Sequence, residues 1–272
     1  MNMLSGLYHS AGSPAYARLT RVHEGGVRMS GRLRKLLRIA AAVALVFSLG
    51  TLLFYLYDDY RSEKNEDKIH ALKEQEELVI PDVLPEYSAL YNENNDTIGW
   101  LRIDGTGIDN VVMYAPDEIE KYLHTDFYGN YSYRGCLYVD EYCDIFRSDN
   151  IIIYGHNIKD GSMFGALMNY LDEGFYEKHK YISFDTIYEK QTYEVVAAVK
   201  TAIPADGDEC FRYYEYTGSD DEEMFNEYTK FIEENRLYDT DAKLLEGDSI
   251  LTLSTCAYHA DDGRFIVVAR KI

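Results

Sequence analysis

The chain has 272 residues, 46% of them hydrophobic, enough for one or two folded domains with a core. A formal net charge of −20 argues against a nucleic-acid partner, because phosphates are bound by an excess of Lys and Arg. Cys136, Cys143, Cys210 and Cys256 form no CxxC pair and no His clusters with them, which excludes a recognisable zinc site.

From the N-terminus, residues 1–28 scatter Gly, Ser and His without period and do not read as a domain. Met29 begins a basic stretch followed by an apolar run. Glu24-Gly25-Gly26 could be encoded by purine-rich ribosome-binding DNA, which points to Met29 as the native start. An N-terminal peptide mapping upstream of Met29 in native protein would rule this out. Residues 39–57 (IAAAVALVFSLGTLLFYLY) are uncharged and long enough to span a bilayer core. Arg28, Arg32, Arg34, Lys35 and Arg38 precede the run, and Asp58 and Asp59 follow it. By the positive-inside rule residues 1–38 are cytoplasmic and everything after 58 is outside. A cleaved signal peptide is the alternative, but bulky Phe54–Tyr57 offer no small-x-small site, so an uncleaved single-pass anchor is preferred.

Asp58–Glu77 is rich in Lys, Glu and Asp, with Ile69 and Leu72 its few apolar residues. This predicts an exposed helical spacer over 58–83, broken by Pro81 and Pro85. Leu84, Tyr87, Leu90 and Tyr91 then follow at helical spacing and open a folded domain over 84–272. Strand-like runs dominate it: Ile98–Ile103, Val111–Tyr114, Cys136–Val139, Asn150–Tyr154, Tyr181–Phe184, Thr192–Thr201, Ser249–Cys256 and Arg264–Lys271. Eight short strands separated by turn signals predict a mainly β domain, closed or sandwiched. Helical insertions are expected over Pro116–Leu123, Met163–Leu171 and Asp221–Asn235. A disulfide between Cys136 and Cys143 is open in an oxidising compartment; free buried thiols are the preferred reading for three of the four cysteines.

Two stretches carry candidate chemistry. Ser249–Ile272 reads as a hairpin in which Cys256 closes one strand and Arg264 opens the next. A cation near sulfur favours the thiolate, the attacking form; a buried structural thiol beside a surface Arg fits the same pattern. Asn150–Phe164 is an apolar strand that stops at Gly155 and delivers His156 to a loop, where an imidazole can serve as acid or base. His259, in the turn after Cys256, competes for that role but points toward solvent, and His124 and His179 fall in exposed-looking segments. Asp261 and Asp262 read as solvated loop carboxylates that could also orient Arg264 or His156.

The combination YGHN, FGAL, TLSTC and an Arg eight residues after the Cys strongly resembles the sortase family, cysteine transpeptidases of the Gram-positive cell surface. NDTIGWLRIDGTGID, YGHNIKDGSMFGAL and FYEKHKYISFDT resemble class B members in particular, and the likeness runs from about Tyr87 to the C-terminus. The resemblance implies a sortase-type closed β-barrel with an N-terminal helical lead. It implies Cys256 as nucleophile, His156 as general acid/base and Arg264 as stabiliser of the oxyanion or substrate. Leu123, Tyr154 and Ser254 match positions that line the peptide groove, Thr255 is grouped with them, and the segment Ile203–Arg212 is expected to overlie the groove with Phe211 a candidate wall. Leu123 and Tyr154 serve equally well as barrel packing, and the segment holding Phe211 (IPADGDECFR) departs from the family pattern.

The implied reaction is acyl transfer. A C-terminal sorting motif of a secreted protein, NPxTN-like or xPxTG-like, is cut after Thr through a thioacyl-enzyme. The acyl group then passes to an amine of the cell-wall precursor (the lipid II cross-bridge) or to a Lys of a pilin. No cofactor or metal is implied, and the acidic residues Asp206, Asp208, Glu209 and Asp220–Glu223 lack calcium-loop spacing. The rivals are a pilin-polymerising enzyme, a hydrolysing cysteine protease and a non-catalytic membrane-anchored surface module. A papain-like enzyme is disfavoured, since His156 precedes Cys256 and no CGSCW-like run exists.

Overall fold

The computed structural model describes residues 30–74, 82–205, 207, 210–218 and 222–272. The reading of residues 1–28, Pro81 and the acidic residues Asp206, Asp208, Glu209, Asp220 and Asp221 lie outside these. One helix, α1 (Gly31–Lys73), carries the basic stretch, the apolar run and the first part of the charged stretch without a break. Ala and Leu are strong helix formers, and no proline interrupts them. The part up to Leu53 forms one unit; its described side chains are nearly all exposed, and the helix is long and apolar enough to cross a membrane.

The second unit, Phe54–Ile272, starts with the charged half of α1. This half is not the exposed spacer its composition suggests: Asp58, Ser62, Asn65 and Ile69, spaced four, three and four apart, form one buried face. Polar groups make that burial tolerable because each finds a partner. Asn65 donates to Asp126 (2.9 Å), the hydroxyls of Ser62 and Ser132 lie 3.3 Å apart, and Asp58 accepts from the Tyr133 amide (3.1 Å). Pro85 does not end this helix; it takes an initial position of α2 (Pro85–Glu93), where its missing N–H costs nothing.

Eight strands follow: β1 (Thr97–Arg102), β2 (Asp109–Met113), β3 (Leu137–Val139), β4 (Asn150–Tyr154), β5 (Tyr181–Thr186), β6 (Thr192–Ala202), β7 (Ile250–Cys256) and β8 (Gly263–Lys271). They close into a barrel in the order β1-β2-β3-β4-β7-β8-β6-β5. Of the predicted insertions, Glu222–Asn235 forms an α-helix, but Pro116–Leu123 and Met163–Leu171 shrink to short 3₁₀ turns, Lys121–Leu123 and Gly165–Leu171. Numbering the helices in order, α3 is the one-turn Glu173–Tyr176, capped by the Asp172 carboxylate on the Gly174 and Phe175 amides, and α4 is Glu222–Asn235.

Strand alternation divides the core in two. Leu251 and Leu253 of β7 and Phe265, Val267 and Ala269 of β8 belong to the main cluster. Their neighbours Ile250, Ile266 and Val268 belong to a second cluster with Tyr213, Tyr216, Tyr228 and Ile232. The polar members of the second layer are chained together. The Tyr228 and Thr252 hydroxyls lie 2.8 Å apart, Thr252 donates to Asn150 Oδ1 (2.8 Å), and Asn150 Nδ2 donates to the Tyr216 carbonyl (2.6 Å).

Candidate active site

The site is set by one parallel register. β4 and β7 run side by side with Tyr154 opposite Ser254. Two residues further along each strand stand His156 and Cys256, so the pairing carries both to the same barrel rim. The join is pinned beyond the ladder. The Gly155 amide donates to the Ser254 carbonyl (3.2 Å), Thr255 Oγ1 donates to the Gly155 carbonyl (2.7 Å), and Asn157 Nδ2 donates to the Cys256 carbonyl (2.8 Å). Only Gly fits at 155, since a Cβ there would run into Leu137 and Phe164.

The β7–β8 hairpin supplies the third group. Cys256 pairs directly with Arg264, as the alternation over Ser249–Lys271 predicts. The Arg264 guanidinium is held by the backbone of its own turn: Nη1 donates to the carbonyls of Gly263 (3.1 Å) and Asp262 (3.4 Å). The Asp262 carbonyl, not its carboxylate, does the orienting.

His156 is half-buried. Its Nε2–H donates to the Leu123 carbonyl (2.9 Å), which can only accept, so this bond selects the tautomer with a basic Nδ1. The ring stacks on His124 (5.5 Å between centroids, 27°), and His124 in turn stacks on Tyr131 (6.1 Å, 29°). Burial holds the His156 pKa below the ordinary histidine value, and the neighbouring His124 adds to this; the bond to Leu123 offsets it in part.

A cleft of about 500 Å³ opens over these groups. Its walls include His156, Cys256 and Arg264, and also Leu123, Tyr154, Ser254 and Thr255. Besides Thr255, Tyr154 and Ser254 are already engaged: Tyr154 donates to the Asp140 carboxylate (2.8 Å), and the Ser254 hydroxyl lies 2.8 Å from that of Tyr213. Burial raises the Asp140 pKa.

Phe211 is not a wall of the cleft. It packs in the second core layer against Phe231 (5.5 Å) and Tyr228 (6.2 Å), because α4 presents an aromatic surface there. Ile203 at the start of that segment and Tyr213 and Tyr214 after it line the cleft instead. His259 is exposed in the turn. Nothing in the sequence marks Asn157 beyond its place in the YGHN run, and His124 is as exposed as its segment suggests. Stacking on His156 gives it a place at the site all the same.

All four cysteines are free, so Cys136 and Cys143 form no disulfide. Both are buried, whereas Cys210 is exposed, against the expectation of three buried thiols. Burial pushes the Cys143 thiol up to about 12 and raises that of Cys136 as well, which leaves both unreactive. Among the described residues, no group of three or more His, Cys, Asp or Glu side chains is placed to hold a metal. A thiol, an imidazole with a free basic nitrogen and a guanidinium around one cleft are the parts needed for acyl transfer through a thioester.

A family profile described as "Sortase domain" matches residues 101–272. Sortase B of Staphylococcus aureus (strain NCTC 8325 / PS 47) is 33% identical over 201 residues, covering 70% of this chain and 76% of that protein. The solved structure of sortase B from B. anthracis in complex with AAEK1 superposes with a TM-score of 0.69 at 30% identity, covering 80% of this chain and 99% of that one. A Staphylococcus aureus sortase B–substrate complex superposes with a TM-score of 0.65 at 29% identity, covering 79% of this chain and 96% of the other.

Proposed function

The chain belongs to the sortase family as a class B member, a cysteine transpeptidase, and from that premise we propose that Cys256, His156 and Arg264 perform its chemistry. The observation that carries this is the β4–β7 register, which sets His156 and Cys256 at equal height beside the paired Arg264. Neutral at rest, His156 accepts the thiol proton on Nδ1 as Cys256 Sγ attacks the Thr carbonyl of a sorting motif. The tetrahedral oxyanion faces the Arg264 guanidinium. Collapse breaks the C–N bond, His156 returns the proton to the leaving amine, and a thioester to Cys256 remains. An incoming amine gives its proton to His156, attacks the thioester and leaves with a new amide bond, restoring the thiol. Leu123, Tyr154 and Thr255 hold the peptide in the cleft, and Ser254 shapes its floor through Tyr213.

The substrates are secreted proteins ending in an NPxTN-like or xPxTG-like motif, and the acceptor is the amine of a cell-wall precursor. α1 anchors the enzyme through residues 39–57, with Arg32, Arg34, Lys35 and Arg38 on the cytoplasmic side and the chain after 58 outside. The test is full-length enzyme in detergent with quenched fluorescent NPQTN, SPKTG and LPETG peptides, with and without an amine acceptor. Cleavage that is lost in Cys256→Ala and shifts from free acid to amide with acceptor supports the reading. Product that stays the free acid at every acceptor concentration refutes transfer.

A further inference from the structure

Arg134 lies outside the cleft, yet its side chain is only 12% exposed and its donors tie its own loop to two other segments. Nε and Nη2 donate to Asp59 Oδ1 on α1 (3.2 and 2.8 Å). Nη1 donates to Ser162 Oγ (2.9 Å) and Nη2 also to Asp160 Oδ2 (3.0 Å). A planar fork with five N–H donors holds acceptors from separate segments at fixed angles, which the rotatable donors of an ammonium do not.

The two loops it joins are the ones that hold His156. The loop carrying Arg134 begins at Leu123, whose carbonyl accepts from His156 Nε2, and includes the His124–Tyr131 stack on the imidazole. The loop carrying Asp160 and Ser162 leaves directly from His156. It returns through the Asn157–Met163 bridge and the Phe164 amide, which donates to the His156 carbonyl (2.9 Å). α1 also meets the outer end of the stack: the Phe54 ring lies 6.2 Å from Tyr131, and Arg61 donates to the Tyr131 carbonyl.

We propose that Arg134 is a positioning residue for His156, and that it couples the docked half of α1 to the imidazole by clamping both loops that carry it. The inference rests on the reading of His156 as the acid/base group. Binding of the sorting peptide depends on the cleft walls, which Arg134 does not line, so the clamp acts on turnover rather than on affinity.

The experiment uses the full chain in detergent micelles. It compares Arg134→Ala, Arg134→Lys, Asp59→Asn and Ser162→Ala by peptide cleavage kinetics and by the NMR signals of the His156 ring, with folding monitored by thermal unfolding. Arg134→Ala should lower kcat about tenfold or more with KM nearly constant, the pattern of a misplaced catalytic group. Arg134→Lys should recover only part of this, and Asp59→Asn should move kcat and the His156 signals in the same direction. Unchanged kcat and unchanged ring signals in folded variants would overturn the clamp. If Arg134→Ala does not fold, Asp59→Asn and Ser162→Ala, which each remove one arm, decide by the same criteria. If the parent enzyme shows no Cys256-dependent cleavage, the enzymatic reading fails while the ring signals, which need no turnover, still decide whether Arg134 and α1 hold His156.

Discussion

At His156 burial and the His124 ring disfavour the charged imidazolium, and the Leu123 carbonyl favours it; burial wins. The ring should therefore titrate by NMR below the ordinary histidine value of about 6.5. Because the folded pKa is depressed, the neutral ring's contribution to stability is complete above the ordinary value and is lost as pH falls through the folded one. Replacing His124 by Asn removes a like charge and should raise the His156 midpoint. A midpoint at or above the ordinary value in the parent would contradict the neutral resting state. The cysteines give a second prediction: an aromatic disulfide reagent should titrate Cys256 and Cys210 in the native protein and reach Cys136 and Cys143 only in denaturant. Early release of all four would show that the barrel wall is open at Cys136 and Cys143. The strand-end positions of His156, Cys256 and Arg264 were legible in the pattern; the roles proposed for them rest on the resemblance of the YGHN and TLSTC runs to the sortase family. His124 was not legible, because stacking between loops distant in sequence leaves no periodic signal.

The element that matters most is the β4–β7 pair. Its parallel register depends on Gly155, where a methyl group would meet Leu137 and Phe164. Gly155→Ala should destabilise the protein by about 1–3 kcal/mol, the usual cost of overpacking, as read from chemical denaturation. The same shift should misplace His156 and lower kcat; full stability in this variant would mean that the strand ends have slack the packing does not show. All eight strands could be read from alternation and β-branched runs, because each buries at least one face in the main core cluster. The short insertions could not. Met163–Leu171 looks helical, but Gly165 is pressed against the Ile158 carbonyl and only 3₁₀ turns form. Phe211 was misplaced for a related reason: the aromatic face of α4 that captures it is a tertiary feature.

Over the whole molecule, the surprise is the charged half of α1. Read by hydropathy it belongs in water, yet it docks through Asp58, Asp59, Ser62 and Asn65 on the 126–134 loop. Hydrogen-bond complementarity, unlike apolar periodicity, cannot be read from one segment alone. Asp126 is buried and accepts from Asn65, so Asn65→Ala should cost about 1–3 kcal/mol by thermal unfolding. An unchanged melting temperature would show that this face is not docked in solution. In the proposed mechanism acyl transfer passes through Cys256. Intact-protein mass spectrometry during turnover of a sorting-motif peptide tests it most directly. A thioacyl adduct localised to the Cys256 peptide is expected, absent in Cys256→Ala and discharged by added amine. Product that accumulates with no adduct, or with one on Cys210, would contradict it.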